Sequence, residues 1–551
     1  MGILLPVVAL HAVGVLDHDL WTPDEPRVGA LARAVSEGAW VIPTLNGSPF
    51  LEEPPLHAWC TGLVYLLLGP DPASRARIVS AIFGLGALAA TYLLARFLAS
   101  QGGDLVRGRR VGAFAAFTLA VFWEHFHTAH RVVVDGALQF FTTASAYALI
   151  RGSTAGVRGS SSGWLSAGYG LASLAFLAKG VIGLAVPALA LAAAAAALRD
   201  PRRLLRARPW LFPLLFALTA GPWLLAAYQE MGPGVLETLF ADNTLGRILP
   251  AAEGSRSHLR PVWFYAAYLP LDLLPGVFFV AGGIVRRVRE RGRLEPAERF
   301  ALDQALLWLG MGFVMLSLAS TKRQVYLLPF YPAAAILGGF WIDAFLLKKS
   351  NGPYERAMDV ILPVLMLLLG AAPAVATTLL TGASWSWAAI GFLCGAVAAA
   401  GGFVVARRGR RDTALSIWAL GLAGVILAAD FGLVPALDRL KSLRDVSRRV
   451  VSLVPADRPL CALEPDETTR AMFPLYTGLP LREVESVQAL ERDLELEGEV
   501  FLLTVDSGRP SRSGRARKKG IQSVEHLRYT VLLEDIRKGT RAFRLLRLER
   551  G

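Results

Sequence analysis

Apolar residues along this chain come in long runs, approximately 2–18, 76–98, 110–127, 132–150, 164–178, 181–198, 209–228, 262–284, 301–319, 324–346, 357–380, 384–405 and 412–434. A helix needs about 20 apolar residues to cross a bilayer core. Inside lipid the backbone must satisfy its own hydrogen bonds, so the runs predict membrane helices and not buried strands. Basic residues gather in every second connection: Arg107, Arg109 and Arg110; Arg151 and Arg158; Arg202, Arg203, Arg206 and Arg208; Arg286 to Arg293; Lys348 and Lys349; Arg407 to Arg411. Because basic connections stay on the cytoplasmic side, the pattern predicts about thirteen crossings, one per run, with the amino terminus inside and the carboxyl terminus outside. The first run has no basic residue before it, which argues against a cleaved signal peptide.

Between the first two runs, Asp17 to Arg77 forms a long outer loop. Its piece Leu56 to Gly69 is too short to span and predicts a helix lying in the interface, with Trp59 and Tyr65 at headgroup level. A second outer loop runs from Gln229 to Arg260. After Pro435 the chain turns polar, with a helix-like stretch Leu437 to Leu453 and strand-like runs Val500 to Val505, Tyr529 to Leu533 and Ala542 to Leu548. The expected fold is an α-helical polytopic membrane protein over residues 1–435, with outer loops 17–77 and 229–260, followed by a small extramembrane α/β domain over 436–551. Within it, Arg509 to Lys519 reads as a mobile basic loop.

Composition agrees with this picture: 54% hydrophobic and 18% charged residues are not the balance of a soluble domain. The net charge of +13 lies in the connections and not on one face with interleaved aromatics, so no nucleic-acid partner is expected. Cys60, Cys394 and Cys461 are far apart, which gives neither a zinc motif nor a disulfide framework.

Chemistry enters with Trp21-Thr22-Pro23-Asp24-Glu25-Pro26-Arg27, two carboxylates beside a guanidinium just after a membrane helix. A carboxylate so placed can accept a proton from a hydroxyl while a cation holds it. Equally, Asp24 can cap a helix over Glu25 to Val35. The loop continues Trp40-Val-Ile-Pro43, Asn46-Gly47 and Leu51-Glu52-Glu53-Pro54-Pro55, then His57 and Trp59. Over this span the sequence resembles the first outer loop of bacterial lipid-linked-sugar glycosyltransferases, the ArnT-like and protein-mannosyltransferase-like families of the glycosyltransferase-C superfamily. Further resemblances follow in order: His130-Arg131 with Asp135; Lys179-Gly180; Asp242-Asn243 with Arg247; His258, Pro261, Trp263 and Tyr265; Thr321-Lys322-Arg323 with Tyr326 and Pro329. Lys441-Ser442 and Phe473 to Gly478 match more loosely in the tail.

The resemblance implies a glycosyltransferase-C fold and transfer of a sugar from a polyprenyl-phosphate donor to a lipid A-type glycolipid or a protein, at the outer face of the bacterial inner membrane. It assigns Asp24, Glu25 and Arg27 to catalysis; Lys179, Arg131, Arg247, Lys322, Arg323 and Tyr326 to the donor phosphate; and Asp135, Glu53, Asn243, His258 and Tyr265 to the substrate cavity. No cofactor is required; the resemblance suggests a divalent metal on Glu52 and His258, for which ordinary hydrogen bonding is the alternative. Val28 stands where the family usually has Tyr, and Glu53 where it has a Lys that meets the donor phosphate. A carboxylate there would repel a phosphate unless a neighbouring cation compensates. Arg131 and Asp135, one helical turn apart, could instead pair with each other. Glu124, His125 and His127 read as an interfacial feature. Two other readings are a transporter or flippase, which would place charges at the bilayer midplane and show internal repeats, and a non-catalytic membrane scaffold.

Overall fold

Where the apolar runs lie, helices form, and where the chain turns polar, a mixed sheet appears. The computed structural model describes residues 9–22, 24–154, 161–240, 259–347, 352–380, 382–507, 524, 526–538 and 541–550. The basic stretch Arg509 to Lys519, with Asn243, Arg247 and His258, lies outside the described residues. The chain divides into two compact units: Met1–Val15, Leu51–His57 and Val79–Leu433 form the first, and Leu16–Phe50, Ala58–Ile78 and Val434–Gly551 the second.

Among the described residues, six helical segments are long and apolar enough to cross a membrane: Ala73–Ala99, Pro296–Leu318, Gln324–Leu346, Pro353–Leu379, Trp385–Arg407 and Arg411–Ser452. The bent pair Leu211–Thr219 and Gly221–Met231 makes a seventh span if read as one. Besides the run 209–228, which is this bent pair, three predicted runs are interrupted. The first leaves its helix at Leu10, and His11 to His18 form turns and bends. The run 110–127 becomes Leu105–Ala120 and Trp123–Ala129, and the run 262–284 becomes Phe264–Asp272 and Val277–Arg289. The second and third breaks meet: Phe122 forms a β-bridge with Pro275, and the Trp123 amide donates to the Leu274 carbonyl at 2.8 Å. Backbone groups released from a helix at membrane depth need partners, and here each break supplies them to the other.

The centre of the first unit is the helix Tyr331–Leu346, apolar on every face and buried along nearly its whole length. It packs on Leu105–Ala120 and on Val277–Arg289. Close approach follows from Gly338 and Gly339, where a Cβ would come within 2.7 Å of Thr118 and of Ala115. At one end of this packing the charges pair in the interior: Arg107 bonds Glu298 and reaches Asp343 at 3.4 Å, and Arg286 donates to Glu298 at 2.7 Å.

The second unit contains two sheets. In the loop, β1 (Thr44–Leu45) and β2 (Ser48–Pro49) pair antiparallel around Asn46-Gly47, with φ of 54° and 82°. Asn and Gly tolerate those positive values, which a two-residue hairpin turn requires. After the membrane runs come β3 (Leu460–Leu463), β4 (Arg482–Val484), β5 (Glu499–Ser507), β6 (Arg528–Lys538) and β7 (Arg541–Glu549), in spatial order β4-β3-β5-β7-β6. β3 pairs parallel with β4 and β5, while β7 pairs antiparallel with β5 and β6. The three strand-like runs of the tail lie in β5, β6 and β7.

Asp466 caps the helix Glu467–Thr477, accepting from the Thr469 amide at 2.8 Å, and pairs with Arg541 at 2.7 Å. Burial would raise its carboxyl, but Arg541 and the Thr469 hydrogen bonds outweigh it and hold it below the ordinary carboxylate range. A depressed carboxyl stabilises the fold above its unfolded pKa and loses that contribution as pH falls through the lower folded value. Asp466→Ala is therefore expected to weaken this helix by about 0.5–2 kcal/mol at neutral pH. The check is amide hydrogen exchange over Glu467–Thr477; the difference from wild type should shrink as the wild-type carboxyl protonates below the usual Asp range.

Candidate active site

In the second unit, the stretch leading to Asp24 is fixed by a buried ion pair. Arg77, fully buried, donates through Nε and Nη2 to the two carboxylate oxygens of Glu25, both at 2.9 Å. The same guanidinium donates to the His18 carbonyl at 2.6 Å and the Asp19 carbonyl at 2.5 Å, and Glu25 also accepts from the Trp21 amide at 2.7 Å. A bidentate pair fixes position as well as charge. Glu25, grouped by sequence with the catalytic residues, thus has its carboxylate engaged in holding the loop. The residue that holds it, Arg77, was legible only as an Arg at the start of an apolar run.

Asp24 occupies the capping position of the helix Glu25–Ser36, but its φ and ψ of −89° and −39° are helical and its side chain makes no capping hydrogen bond. A cap needs the extended backbone that turns the side chain over the first amides. The capping reading therefore fails on geometry. The Asp24 carboxylate lies 3.9 Å from Arg27, whose guanidinium also donates to Glu467 at 2.8 Å and sits 5.6 Å from the Phe50 ring. Arg27 is thereby held by an acid and an aromatic face while facing Asp24. Asn46 has a structural part: its side-chain amide donates to the Leu481 carbonyl at 2.6 Å and its carbonyl accepts from the Leu481 amide at 2.8 Å.

In the first unit, a second group forms at helix ends. The helix Ser161–Lys179 stops because Gly180 adopts φ +69°, which leaves Lys179 on its last turn. Asp135 opens the helix Asp135–Gly152. A cation at a carboxyl end and an anion at an amino end are each favoured by the helix dipole, and here they meet: Lys179 Nζ donates to Asp135 at 2.6 Å. Glu53 lies 3.7 Å from the same ammonium, and the Tyr326 ring 5.1 Å away. Lys179 and Asp135 are under a tenth exposed, while Glu53 keeps 22% of its side chain accessible. Among the described residues, then, Lys179 is a cation that offsets Glu53, and it also pairs with Asp135.

Other sequence candidates fall around this group or away from it. Tyr265, buried, donates to the Arg323 carbonyl at 3.2 Å. Lys322 is turned inward: its ammonium donates to the Ala319 carbonyl and to the Arg260 carbonyl at 3.2 Å. Arg131 sits on the turn between Trp123–Ala129 and Asp135–Gly152. Buried His125 bonds Gln139 at 2.8 Å, so it belongs to the helix packing more than to the surface. Among the described residues no three His, Cys, Asp or Glu side chains converge as metal ligands; Glu52 is described and His258 is not.

Comparison with known proteins narrows the reading. The sequence pattern of the dolichyl-phosphate-mannose-protein mannosyltransferase family matches residues 52–225. An undecaprenyl phosphate-alpha-4-amino-4-deoxy-L-arabinose arabinosyl transferase of Shewanella sediminis is 29% identical over 352 residues, 63% of this chain and 60% of that protein. A protein of the same description from Pseudomonas fluorescens is 25% identical over 67% of this chain and 63% of its own length. The matches thus span somewhat less than two thirds of these relatives. The crystal structure of ArnT from Cupriavidus metallidurans bound to undecaprenyl phosphate superposes with a TM-score of 0.72 at 20% identity, covering 98% of this chain and 97% of that one. The chain is thus a polytopic membrane protein that is similar in sequence, over part of its length, to these arabinosyl transferases and similar in fold to ArnT.

Proposed function

We propose that the chain transfers a sugar from a polyprenyl-phosphate donor to a hydroxyl of a lipid or protein acceptor at the outer face of the bacterial inner membrane, with inversion. The observation that carries the reading is Asp24, a carboxylate at a helix start that does not cap its helix and faces a clamped Arg27. As the acceptor oxygen bonds to the anomeric carbon, its proton passes to the Asp24 carboxylate. The bond from that carbon to the phosphate oxygen breaks, and polyprenyl phosphate leaves with the electron pair. Lys179 is the cation for the departing charge, with Arg131, Arg323 and Arg247 as further candidates and Tyr326 beside Lys179. Glu25 and Arg77 are positioning residues. Asp135 holds Lys179, and Tyr265 fixes the strand of chain that carries Arg323. The named donor of the arabinosyl relatives and the ligand of the Cupriavidus structure support the carrier class. The basic connections support a carboxyl terminus outside the cytoplasm.

The test is purified protein in lipid with polyprenyl-phosphate sugars labelled in the sugar, offered glycolipid and protein acceptors. Transfer of label with matching release of polyprenyl phosphate is expected. Movement of labelled lipid across the bilayer without transfer would mean a flippase instead.

Glu53 gives a sharper prediction. Because it shares Lys179 with Asp135, Glu53→Lys removes one counter-charge and sets two ammonium groups together, so donor affinity is expected to fall by about tenfold or more. Glu53→Gln should be milder. A clear gain in donor affinity for Glu53→Lys would show that position 53 is a degraded phosphate contact and not part of a compensated pair.

A further inference from the structure

Outside the groups just described, the second unit contains a cavity of about 250 Å³ whose wall begins at Leu16 and runs through Asp19, five residues before Asp24. Its lining is mostly charged, with both signs present. Asp17, Asp19, Asp438 and Asp445 line it together with Arg439, Arg444 and Lys538. At the floor, buried Asp19 accepts from Ser442 at 2.6 Å and lies 3.3 Å from Arg444, while Asp438 accepts from the Asp19 amide at 2.9 Å and from the Trp21 indole at 2.8 Å. The Arg444 Nε is buried and has no acceptor among the described residues.

An ion of either sign entering this cavity would meet its own charge as well as its opposite. A neutral molecule that both donates and accepts many hydrogen bonds meets no such conflict, and hydroxyl groups have that property. The volume lies below the roughly 300–1,000 Å³ of drug-sized sites, which limits the occupant to about one or two sugar rings. The cavity also shares its anchor with the proposed base: Arg77 grips the His18 and Asp19 carbonyls of the cavity wall and, with the same guanidinium, the Glu25 carboxylate beside Asp24. An occupant there would touch the stretch Leu16 to Asp19 that leads to Asp24.

We propose that this cavity is a saccharide subsite for a neutral, polyhydroxylated portion of the acceptor, which it holds in register with Asp24. The assignment to the acceptor rests on the proposed transfer reaction; the saccharide site itself does not. The guanidinium of Arg444, a quarter exposed, supplies donors to a sugar oxygen, and the carboxylates of Asp17 and Asp445 take sugar hydroxyls at the mouth.

The experiment is saturation-transfer NMR on the full chain in detergent, with a panel of neutral mono- and disaccharides and, separately, inorganic phosphate. At least one neutral saccharide should receive saturation, and the signal should be lost in Arg444→Leu. Because Arg444 also holds Asp19, the double variant Asp445→Asn/Lys538→Gln, at an exposed and a half-buried position, is the second test; with its thermal unfolding unchanged it should weaken the same signal. In the transfer assay the double variant should raise the acceptor KM by about tenfold with kcat and donor affinity unchanged. No saccharide binding, binding of phosphate alone, or equal binding in the double variant overturns the proposal. Saccharide binding in a wild-type protein that transfers no sugar would instead sink the proposed reaction and leave the subsite standing.

Discussion

Asp24→Asn is expected to lower turnover by about 100- to 10,000-fold, the usual contribution of a positioned general base, while leaving the fold intact. The size separates chemistry from structure. A lost cap would cost only about 1 kcal/mol of stability, and here there is no capping hydrogen bond to lose, since the Asp24 backbone is helical and its carboxylate faces Arg27. Asn preserves shape and can still meet the guanidinium through its carbonyl, but it cannot accept the acceptor's proton. The measurement is single-turnover transfer by purified Asp24→Asn alongside its thermal unfolding. Normal stability with a collapse in rate is the expected pair of results; near-normal transfer by folded protein would remove Asp24 from the chemistry and move the base elsewhere. Arg27→Lys offers a graded companion, because a lysine cannot make the planar, stacked contacts that a guanidinium makes with Glu467 and Phe50.

Arg77→Met should behave in the opposite way, losing stability and activity together. Removing one member of a buried ion pair leaves the other charge uncompensated and costs about 3–5 kcal/mol. Here the stranded group is Glu25, 1% exposed, and the His18 and Asp19 carbonyls lose the same donor. The second change Glu25→Gln in the Arg77→Met background removes the stranded charge and is expected to recover a large part of the stability. It should not restore turnover fully, because the carbonyl anchors that set the path into Asp24 remain absent. Urea unfolding of the three variants checks the first claim and transfer assays the second. An Arg77→Met protein as stable as wild type would mean that the pair is not the anchor described above.

The two predictions differ in how visible their residues were. Asp24 stood out from spacing: a carboxylate pair after a membrane run, followed by a loop whose order of Pro, Asn-Gly and paired acids resembles a known family. The same spacing put Glu25 beside Asp24 as an equal, and nothing local could separate them, because what separates them is Arg77, more than fifty residues away. Likewise Arg131 and Asp135 were a plausible pair one helical turn apart, while Lys179, which Asp135 takes from another helix, was not legible as its partner. The contacts of the Lys322 ammonium with the Ala319 and Arg260 carbonyls were equally invisible in the sequence.

By itself the sequence determined the medium, the helical character of the membrane part, and three of the tail's five described strands. Those follow from hydrophobic periodicity and run length, which are properties of consecutive residues. The Gly180 stop after Lys179 and the Asn46-Gly47 hairpin turn belong to the same class, since backbone φ preferences are local. Only the tertiary structure decided which charges neutralise which. Arg107 and Arg286 look alike in the sequence as residues of basic connections, but both are buried against Glu298, so they are part of the packing as well as of the topology. It also decided that the runs 110–127 and 262–284 break where they meet, because backbone groups freed from a helix need partners and here the second break supplies them, as Phe122 and Pro275 show. Partner choice among charges and unpaired backbone groups depends on distances between segments remote along the chain, and those distances exist only once the chain has folded.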